Sequence, residues 1–141
     1  NTSTPGTRVF QVSARDNVDN QSLSSATYTV GYRICLLYDT AKPQPIGGTV
    51  VIKLQLCDAS GANLSASRFA LRALTIDRLY TPPPNQGSSN LDQLFRYDAK
   101  LKGYIYNFDV NGLPLGVGPH TMEFSVDGVA AAAYFAPFEL R

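Results

Sequence analysis

The clearest structural signal in this chain is the segment TVVIKLQLC, Thr49–Cys57. Its apolar side chains recur at every second position, whereas Lys53 and Gln55 fall between them. Successive side chains of a β-strand point to opposite faces of the sheet, so this alternation predicts a strand with one apolar face and one polar face. The apolar face consists of Val50, Ile52, Leu54 and Leu56.

The same period of two, carried by β-branched and aromatic residues, extends over most of the chain. Tyr104, Tyr106 and Phe108 share one face of a second predicted strand, which pairs with the segment around Phe95. Turn-forming residues separate such segments at intervals of about 8–12 residues, which is typical of an antiparallel β-sandwich. We therefore predict an all-β sandwich. The remaining predicted strands lie in a hairpin over residues 8–32 and in residues 69–76, 121–126 and 129–140.

The composition limits the class of function. The chain has 141 residues, charged residues make up 16% of them, and the formal net charge is +1. So small a net charge provides no basic field to hold nucleic acid or an acidic membrane surface. One histidine and two cysteines are too few for a zinc cluster. We expect no nucleic-acid partner and, since no apolar run is long enough to cross a bilayer, no membrane insertion.

A segment rich in turn-forming residues sets the N-terminal part of the chain apart. Asp39–Gly48 contains two prolines and two glycines, which interrupt regular secondary structure. We therefore predict two units: residues 1–39, an N-terminal hairpin with a linker strand, and residues 40–141, the sandwich. A second such segment, Leu79–Asn90, is predicted to be an extended, mobile loop.

Two groups of segments resemble the bacterial PxKF domain, and the resemblance covers residues 49–141. The first group is Val51-Ile52-Lys53-Leu54 with Leu56 and Asp58-Ala59-Ser60-Gly61. The second is Phe95-Arg96-Tyr97-Asp98, Gly103-Tyr104-Ile105-Tyr106-Asn107-Phe108, Gly112-Leu113 and Asp127-Gly128. The resemblance implies an immunoglobulin-like module of a large secreted or cell-surface bacterial protein, with no catalytic residues and no cofactor.

The hairpin resembles a different kind of unit, the last two strands of a bacterial surface immunoglobulin-like repeat. The residues that carry this resemblance are Pro5-Gly6-Thr7, Phe10-Gln11-Val12, Ala14, Asp16-Asn17, Asn20 and Tyr28-Thr29-Val30. The two resemblances together imply an immunoglobulin-like antiparallel β-sandwich with an N-terminal β-hairpin extension, and residues 1–39 are then the remnant of a preceding repeat.

A hairpin separated from its sandwich leaves an apolar face and free edges, which invite pairing with other chains. It either folds back onto its own sandwich or completes the sheet of a neighbour. The second arrangement makes this chain a strand donor, and a head-to-tail homopolymer or filament would follow. The partner would then be another copy of this chain or a neighbouring domain of a larger parent protein. The candidate assembly residues are Phe10, Val12, Tyr28, Val30 and Tyr32.

The two cysteines, Cys35 and Cys57, are most simply a disulfide if the protein is extracellular. The alternative is two buried free thiols in a cytosolic protein. Because the spacing is not that of a C-x-x-C motif, a redox centre is not expected. We predict the disulfide, which would connect the first unit to the second.

The predicted hairpin loop has two alternative interpretations. Its side chains Asp16, Asn17, Asp19 and Asn20 supply several hard oxygen atoms, the ligands that calcium prefers. Asx residues also stabilise turns by hydrogen bonding to their own backbone, and such a turn needs no metal. The loop lacks the glycine and the bidentate glutamate of an EF-hand, so we predict the Asx-rich turn and keep calcium as the alternative.

The functional prediction is a non-catalytic structural module. His120, the only histidine, is not accompanied by a nucleophile motif, so we interpret it as a strand residue and predict no enzymatic activity. The alternative is an adhesin or carbohydrate-binding module, in which surface tyrosines and the Leu79–Asn90 loop would contact a glycan. Either function places the protein outside the cell or on the bacterial cell surface.

Overall fold

A computed structural model of the chain describes residues 4–87, 92–127, 129 and 133–141. This part of the chain contains nine β-strands. No helix in it is long and apolar enough to span a membrane. The strands are β1 (Gly6–Arg15), β2 (Gln21–Val30), β3 (Arg33–Leu36), β4 (Thr49–Cys57), β5 (Leu71–Ile76), β6 (Arg96–Asp98), β7 (Gly103–Asp109), β8 (Gly118–Val126) and β9 (Tyr134–Leu140).

The strands form a hairpin and a two-sheet sandwich. One sheet has the order β3-β4-β7-β6, the other has the order β5-β8-β9, and all the strand pairs are antiparallel. Named in chain order from β3, these are the ABED and CFG sheets of an immunoglobulin constant-type sandwich. The prediction of an all-β sandwich is therefore confirmed. The hairpin, β1 paired with β2, forms a separate two-stranded sheet.

The inner faces of the two sheets enclose one apolar core. The alternation in β4 is confirmed, because Val50, Ile52, Leu54 and Leu56 are fully buried. The aromatic side chains of β7 are fully buried as well, and the ring of Phe108 lies 5.7 Å from that of Phe138 in the opposite sheet. No side chain of β1 or β2 belongs to this core. The sandwich is therefore complete without the hairpin.

The boundary between hairpin and sandwich differs from the predicted division at residues 39 and 40. β3 pairs with β4 and so belongs to the sandwich. The predicted linker is also paired, because Gln44 forms a parallel bridge with Leu140 of β9. These partners are distant in sequence, and no local pattern reveals them. Within the described residues, the part that stands apart from the sandwich is residues 4–30. Gly31 and Tyr32 connect it to β3.

The described part of Leu79–Asn90, the segment predicted to be a mobile loop, is hydrogen-bonded to the sandwich. The side chain of Asn85 is buried and donates hydrogen bonds to the carbonyl oxygens of Leu94 and Ile105, at 2.8 and 3.2 Å. Its Oδ1 accepts the backbone N–H of Asn107 at 2.9 Å. This amide, together with the Tyr106 hydroxyl that donates to the carbonyl oxygen of Pro83 at 2.6 Å, holds the segment against β7. Residues 88–90 of the predicted loop lie outside the described residues.

Smaller differences concern strand ends in the second sheet. β5 begins at Leu71 rather than Phe69, and β8 begins at Gly118 rather than Thr121. β9 begins at Tyr134, and residues 130–132 of the predicted final strand lie outside the described residues. Pro137 lies in β9 at the edge of its sheet, where a residue without a backbone N–H is tolerated.

Candidate assembly surface on the hairpin

The hairpin is long and regular. Its ten residue pairs run without a bulge from Gly6 opposite Val30 to Arg15 opposite Gln21. Asp16 closes the turn: its backbone N–H donates to the carbonyl oxygen of Asn20 at 3.0 Å, and its carboxylate accepts the backbone N–H groups of Val18 and Asn20 at 2.9 Å each. The turn is therefore stabilised locally by its own Asx side chain.

The strand register places four of the five predicted assembly residues on one face of the hairpin. Residues directly opposite each other in an antiparallel pair have their side chains on the same face. Phe10 lies opposite Ala26, Val12 opposite Ser24, and Val30 opposite Gly6. Tyr28 lies on the same face, because it is two residues from both Ala26 and Val30. We call this the apolar face.

The apolar face is open to solvent over much of its length. Phe10 is 60% exposed and Val12 is 49% exposed, whereas Tyr28 and Val30 are half-buried near the base of the hairpin. Large apolar side chains of this kind, exposed next to one another, are typical of interaction surfaces. The opposite face is mostly Ser, Thr and Gln, with Val9 and Leu23 as its large apolar residues.

The fifth predicted assembly residue, Tyr32, has a different position. It lies beyond the end of β2, and its ring packs against Phe69 and Tyr134 of the sandwich at centroid distances of 5.8 and 6.5 Å. Its backbone N–H donates to the hydroxyl oxygen of Tyr134 at 3.1 Å. Tyr32 therefore anchors the base of the hairpin, and the structure does not bring it together with the other four.

Both outer edges of the hairpin are free within the described residues. β1 and β2 pair only with each other, and no other backbone hydrogen bond joins either strand to a described part of the sandwich. The edges carry no proline, no lysine and no bulge. These are devices by which natural sheets prevent edge-to-edge pairing. Charged side chains are another such device, and β1 carries Arg8 and Arg15 whereas β2 carries none, so the edge of β2 is the unprotected one.

The edges of the first sandwich sheet, by contrast, are short. β3 has four residues, and β6 has three. Past the end of β6, the edge of β7 is covered by the segment that contains Asn85. There the backbone N–H of Gln86 donates to the carbonyl oxygen of Asn107 at 2.8 Å. A short or covered edge offers little backbone for another chain to pair with.

The edges of the second sheet are covered as well. The segment at Gln93–Phe95 pairs with β5, where the backbone N–H of Ala73 donates to the carbonyl oxygen of Gln93 at 2.8 Å. On β9, Gln44 occupies the edge near Leu140, and the Tyr38 hydroxyl donates to the carbonyl oxygen of Pro137 at 2.7 Å. The described edges of the sandwich are therefore short or partly covered, whereas both edges of the hairpin are unpaired.

Two comparisons with known proteins were made for this chain. No protein-family model matches the chain, and no curated protein is significantly similar to it. The assignment to an immunoglobulin-like topology rests on the strand order of the two sheets.

The predicted disulfide is confirmed. Cys35 and Cys57 are bonded, with their Cα atoms 6.1 Å apart. The bond links β3 to β4 within one sheet, since Cys35 lies opposite Gln55 in the strand register. It therefore secures the short edge strand β3, which directly follows the hairpin.

Three of the four calcium candidates, Asp16, Asp19 and Asn20, are engaged in interactions within the turn. Both carboxylate oxygens of Asp16 accept hydrogen bonds, and Asp19 pairs with the guanidinium of Arg15 at 2.9 Å. The hydrogen bonds from the Asn20 amide and from the turn backbone lower the pKa of Asp16. Among the described residues, no three His, Cys, Asp or Glu side chains form a metal-binding group. This arrangement is that of an Asx turn.

His120 lies in β8, and its nearest polar partner could not be found from the sequence. Its Nδ1 is 2.7 Å from Oδ2 of Asp77, which follows β5, and its Nε2 is 2.8 Å from the carbonyl oxygen of Gly116. Oδ1 of Asp77 accepts the backbone N–H of Thr121 at 2.8 Å. The group joins β8 to the turn after β5, and we interpret it as structural.

Proposed function

We propose that this chain is a non-catalytic structural module of an extracellular or bacterial cell-surface protein, of the PxKF type, and that its hairpin joins it to a neighbouring subunit by β-sheet complementation. One observation carries the proposal: the hairpin has an exposed apolar face and two unpaired edges, whereas the edges of the sandwich in the described part of the chain are short or covered.

The physical reason is that an isolated two-stranded hairpin is marginally stable in water. Additional strands or a covering surface are needed before its apolar face contributes to folding. Burying a side chain such as Phe10 or Val12 contributes about 1.5–3 kcal/mol. A neighbour that pairs with the hairpin supplies both strands and apolar contacts.

The position of the hairpin suits a linking role. It adjoins Tyr134 at the start of β9, whereas Arg141 follows the far end of that seven-residue strand, about 20 Å away. The hairpin and Arg141 therefore lie at opposite ends of the sandwich. Successive subunits joined through their ends would form a linear filament, and subunits joined through the hairpin alone would form a closed pair.

The disulfide supports an extracellular location. Disulfides persist in oxidising compartments and are rare in the reducing cytosol. The Cys35–Cys57 bond secures an edge strand of a small domain, which is a common use of disulfides in secreted proteins.

Light scattering coupled to size-exclusion chromatography tests the proposal, on the full chain and on residues 31–141. The shorter chain keeps β3, Cys35 and every described core residue, so it should fold as a monomer. We expect the full chain to assemble in a concentration-dependent way. Equal, monomeric masses for the two chains at all concentrations would contradict the proposal.

A carbohydrate-binding module is the second candidate, and one groove favours it. A cleft of about 370 Å³ lies between the base of the hairpin and the sandwich, lined in part by the rings of Tyr32 and Phe69 and by Arg68 and Asp127. Aromatic rings with nearby polar groups are common in sugar sites. Binding to a glycan array that is lost in Phe69→Ala would support this function.

A further inference from the structure

We propose that two copies of this chain pair through the outer edge of β2, antiparallel about a two-fold axis at Ser25, so that their hairpins form one four-stranded sheet. The inference rests on the proposed function and specifies its partner, which is a second copy, and the strand through which the two copies join.

The hydrogen-bond pattern identifies which residues face outward along β2. The backbone N–H of Asp16 donates to the carbonyl oxygen of Asn20, so this pair is hydrogen-bonded. Hydrogen-bonded and non-hydrogen-bonded pairs alternate along an antiparallel ladder. Gln11 and Ser25 lie opposite each other, five pairs further along, and therefore form a non-hydrogen-bonded pair. Their backbone N–H and C=O groups point away from the hairpin.

The charge distribution favours β2 over β1 as the pairing edge. β1 carries Arg8 and Arg15, whereas the ten residues of β2, QSLSSATYTV, include no charged side chain. Charged residues on an edge strand oppose pairing with another chain. The last four residues of β2, Thr27–Val30, are of the β-branched and aromatic types that favour strands. Of the two free edges, the one on β2 is therefore the less protected.

A two-fold axis at Ser25 gives compatible neighbours along the whole strand. Ser25 lies opposite Ser25 of the second copy, Leu23 opposite Thr27, and Gln21 opposite Thr29. Of these pairs, Ser25 with Ser25 brings together two hydroxyl-bearing side chains, an arrangement that stabilises antiparallel sheets, and none of the three pairs opposes like charges. A two-fold axis perpendicular to the sheet also keeps the apolar faces of both hairpins on the same side.

Steric considerations require the antiparallel arrangement. Parallel β2 strands would bring the two copies of Val30 to within about 5 Å, the spacing of neighbouring strands. Each Val30 is followed after two residues by a sandwich four strands wide, about 15 Å across the strands. The two sandwiches would collide. The antiparallel arrangement places them at opposite ends of a sheet about 30 Å long.

The pairing removes the instability of the hairpin. Two strands are marginal, whereas three or more strands with an apolar face can be stable. Joining two hairpins gives four strands, and the apolar faces become continuous. Because the remaining outer edges are those of β1, with their arginines, we expect assembly to stop at two copies.

Cysteine cross-linking tests the register, with Ser25→Cys as the variant and Gln11→Cys as the matched control on the opposite strand. The described chain has no free cysteine of its own, because Cys35 and Cys57 are bonded. We expect Ser25→Cys to form a disulfide-linked dimer about tenfold faster than Gln11→Cys, because the axis holds the two introduced thiols together. Faster linking through Gln11→Cys would overturn the inference.

Proline substitution at the same two positions tests the hydrogen bonds. Both backbone N–H groups point outward, so proline removes an edge donor without removing a bond inside the hairpin. By light scattering, we expect the full chain and Gln11→Pro to reach twice the 15.3 kDa of one chain, and Ser25→Pro to remain monomeric. Assemblies that persist in Ser25→Pro would overturn this inference and leave the proposed function standing. A full chain that is monomeric at all concentrations would overturn both.

Discussion

Nδ1 of His120 lies 2.7 Å from Oδ2 of Asp77, and the other ring nitrogen faces the carbonyl oxygen of Gly116. Both partners are acceptors, so both ring nitrogens must carry a proton to satisfy them, and the imidazolium is the form that fits. Burial alone would lower the pKa of His120, but the hydrogen bonds to Asp77 and Gly116 and the charge of Asp77 outweigh it and raise the pKa above 6.5.

The raised pKa of His120 predicts that the sandwich loses stability as the solution becomes alkaline. The folded state holds the proton more tightly than the unfolded state, so the stabilisation is complete below the unfolded pKa of about 6.5 and is lost as the pH rises through the folded pKa. Urea unfolding at a series of pH values measures this loss. His120→Gln should remove this part of the pH dependence, and an unchanged profile in that variant would contradict the assignment.

The disulfide predicts a large effect on folding stability. The bond closes a loop with a sequence separation of 22 residues, and restricting the unfolded chain in this way contributes about 3 kcal/mol. We expect Cys35→Ser with Cys57→Ser to lower the free energy of unfolding by about this amount, measured by urea denaturation. An unchanged transition midpoint would show that β3 is held by its other contacts.

Asn85 predicts a second large effect on folding stability, at a position in the sandwich. Its side chain is only 1% exposed, and its removal leaves backbone groups of Leu94, Ile105 and Asn107 without their partner. We expect Asn85→Ala to cost about 3 kcal/mol and to open residues 80–87 to proteolysis. The matched control is Asn17→Ala in the exposed turn, which should change neither the stability nor the cleavage pattern of the sandwich.

Tyr28 and Tyr32 predict opposite phenotypes, although only three residues separate them. Tyr32 packs against Phe69 and Tyr134, so Tyr32→Ala should lower the stability of the sandwich by about 2 kcal/mol. Tyr28 lies on the apolar face of the hairpin, so Tyr28→Ala should weaken assembly and leave sandwich unfolding unchanged. Thermal unfolding and light scattering on both variants separate the two roles. The same phenotype in both variants would contradict the division.

The Asx turn predicts that calcium does not change the thermal stability of the protein. The carboxylate of Asp16 is occupied by hydrogen bonds from the turn itself, and Asp19 pairs with Arg15. We expect the same melting temperature in millimolar calcium and in chelator. A calcium-dependent rise that is lost in Asp16→Asn would instead show that the loop binds the ion.

The sequence predicts best those strands in which the burial of one face produces a regular alternation of apolar and polar residues. Val50, Ile52, Leu54 and Leu56 in β4, and the aromatic residues of β7, alternate because one face of each strand enters the core. The hairpin was also predictable, since its two strands and its Asx turn are neighbours in sequence.

The features that the sequence did not predict are segments and side chains whose positions depend on contacts between residues distant in the chain. Gln44 lies in a segment rich in proline and glycine, yet its partner is Leu140 at the other end of the chain. The segment that contains Asn85 has the composition of a mobile loop, yet the buried amide of Asn85 and the hydroxyl of Tyr106 join it to β7 by hydrogen bonds. No sequence pattern near Asp77 indicates that its carboxylate contacts His120, which is 43 residues away in the chain. The alternation in β1 and β2 is enough to place Phe10, Val12, Tyr28 and Val30 on one face of the hairpin. The position of Tyr32 depends on its long-range contact with Phe69.

The Cys35–Cys57 bond also determines how the module responds to being stretched. Tension applied between the hairpin and Arg141 reaches Cys35 within the four residues of β3 and crosses directly to Cys57. Residues 36–56, which include nearly all of β4, then carry no load. The four fully buried residues of β4 therefore lie outside the covalent path that bears the tension. Reduction of the disulfide would return those residues to the loaded path and make the module more extensible.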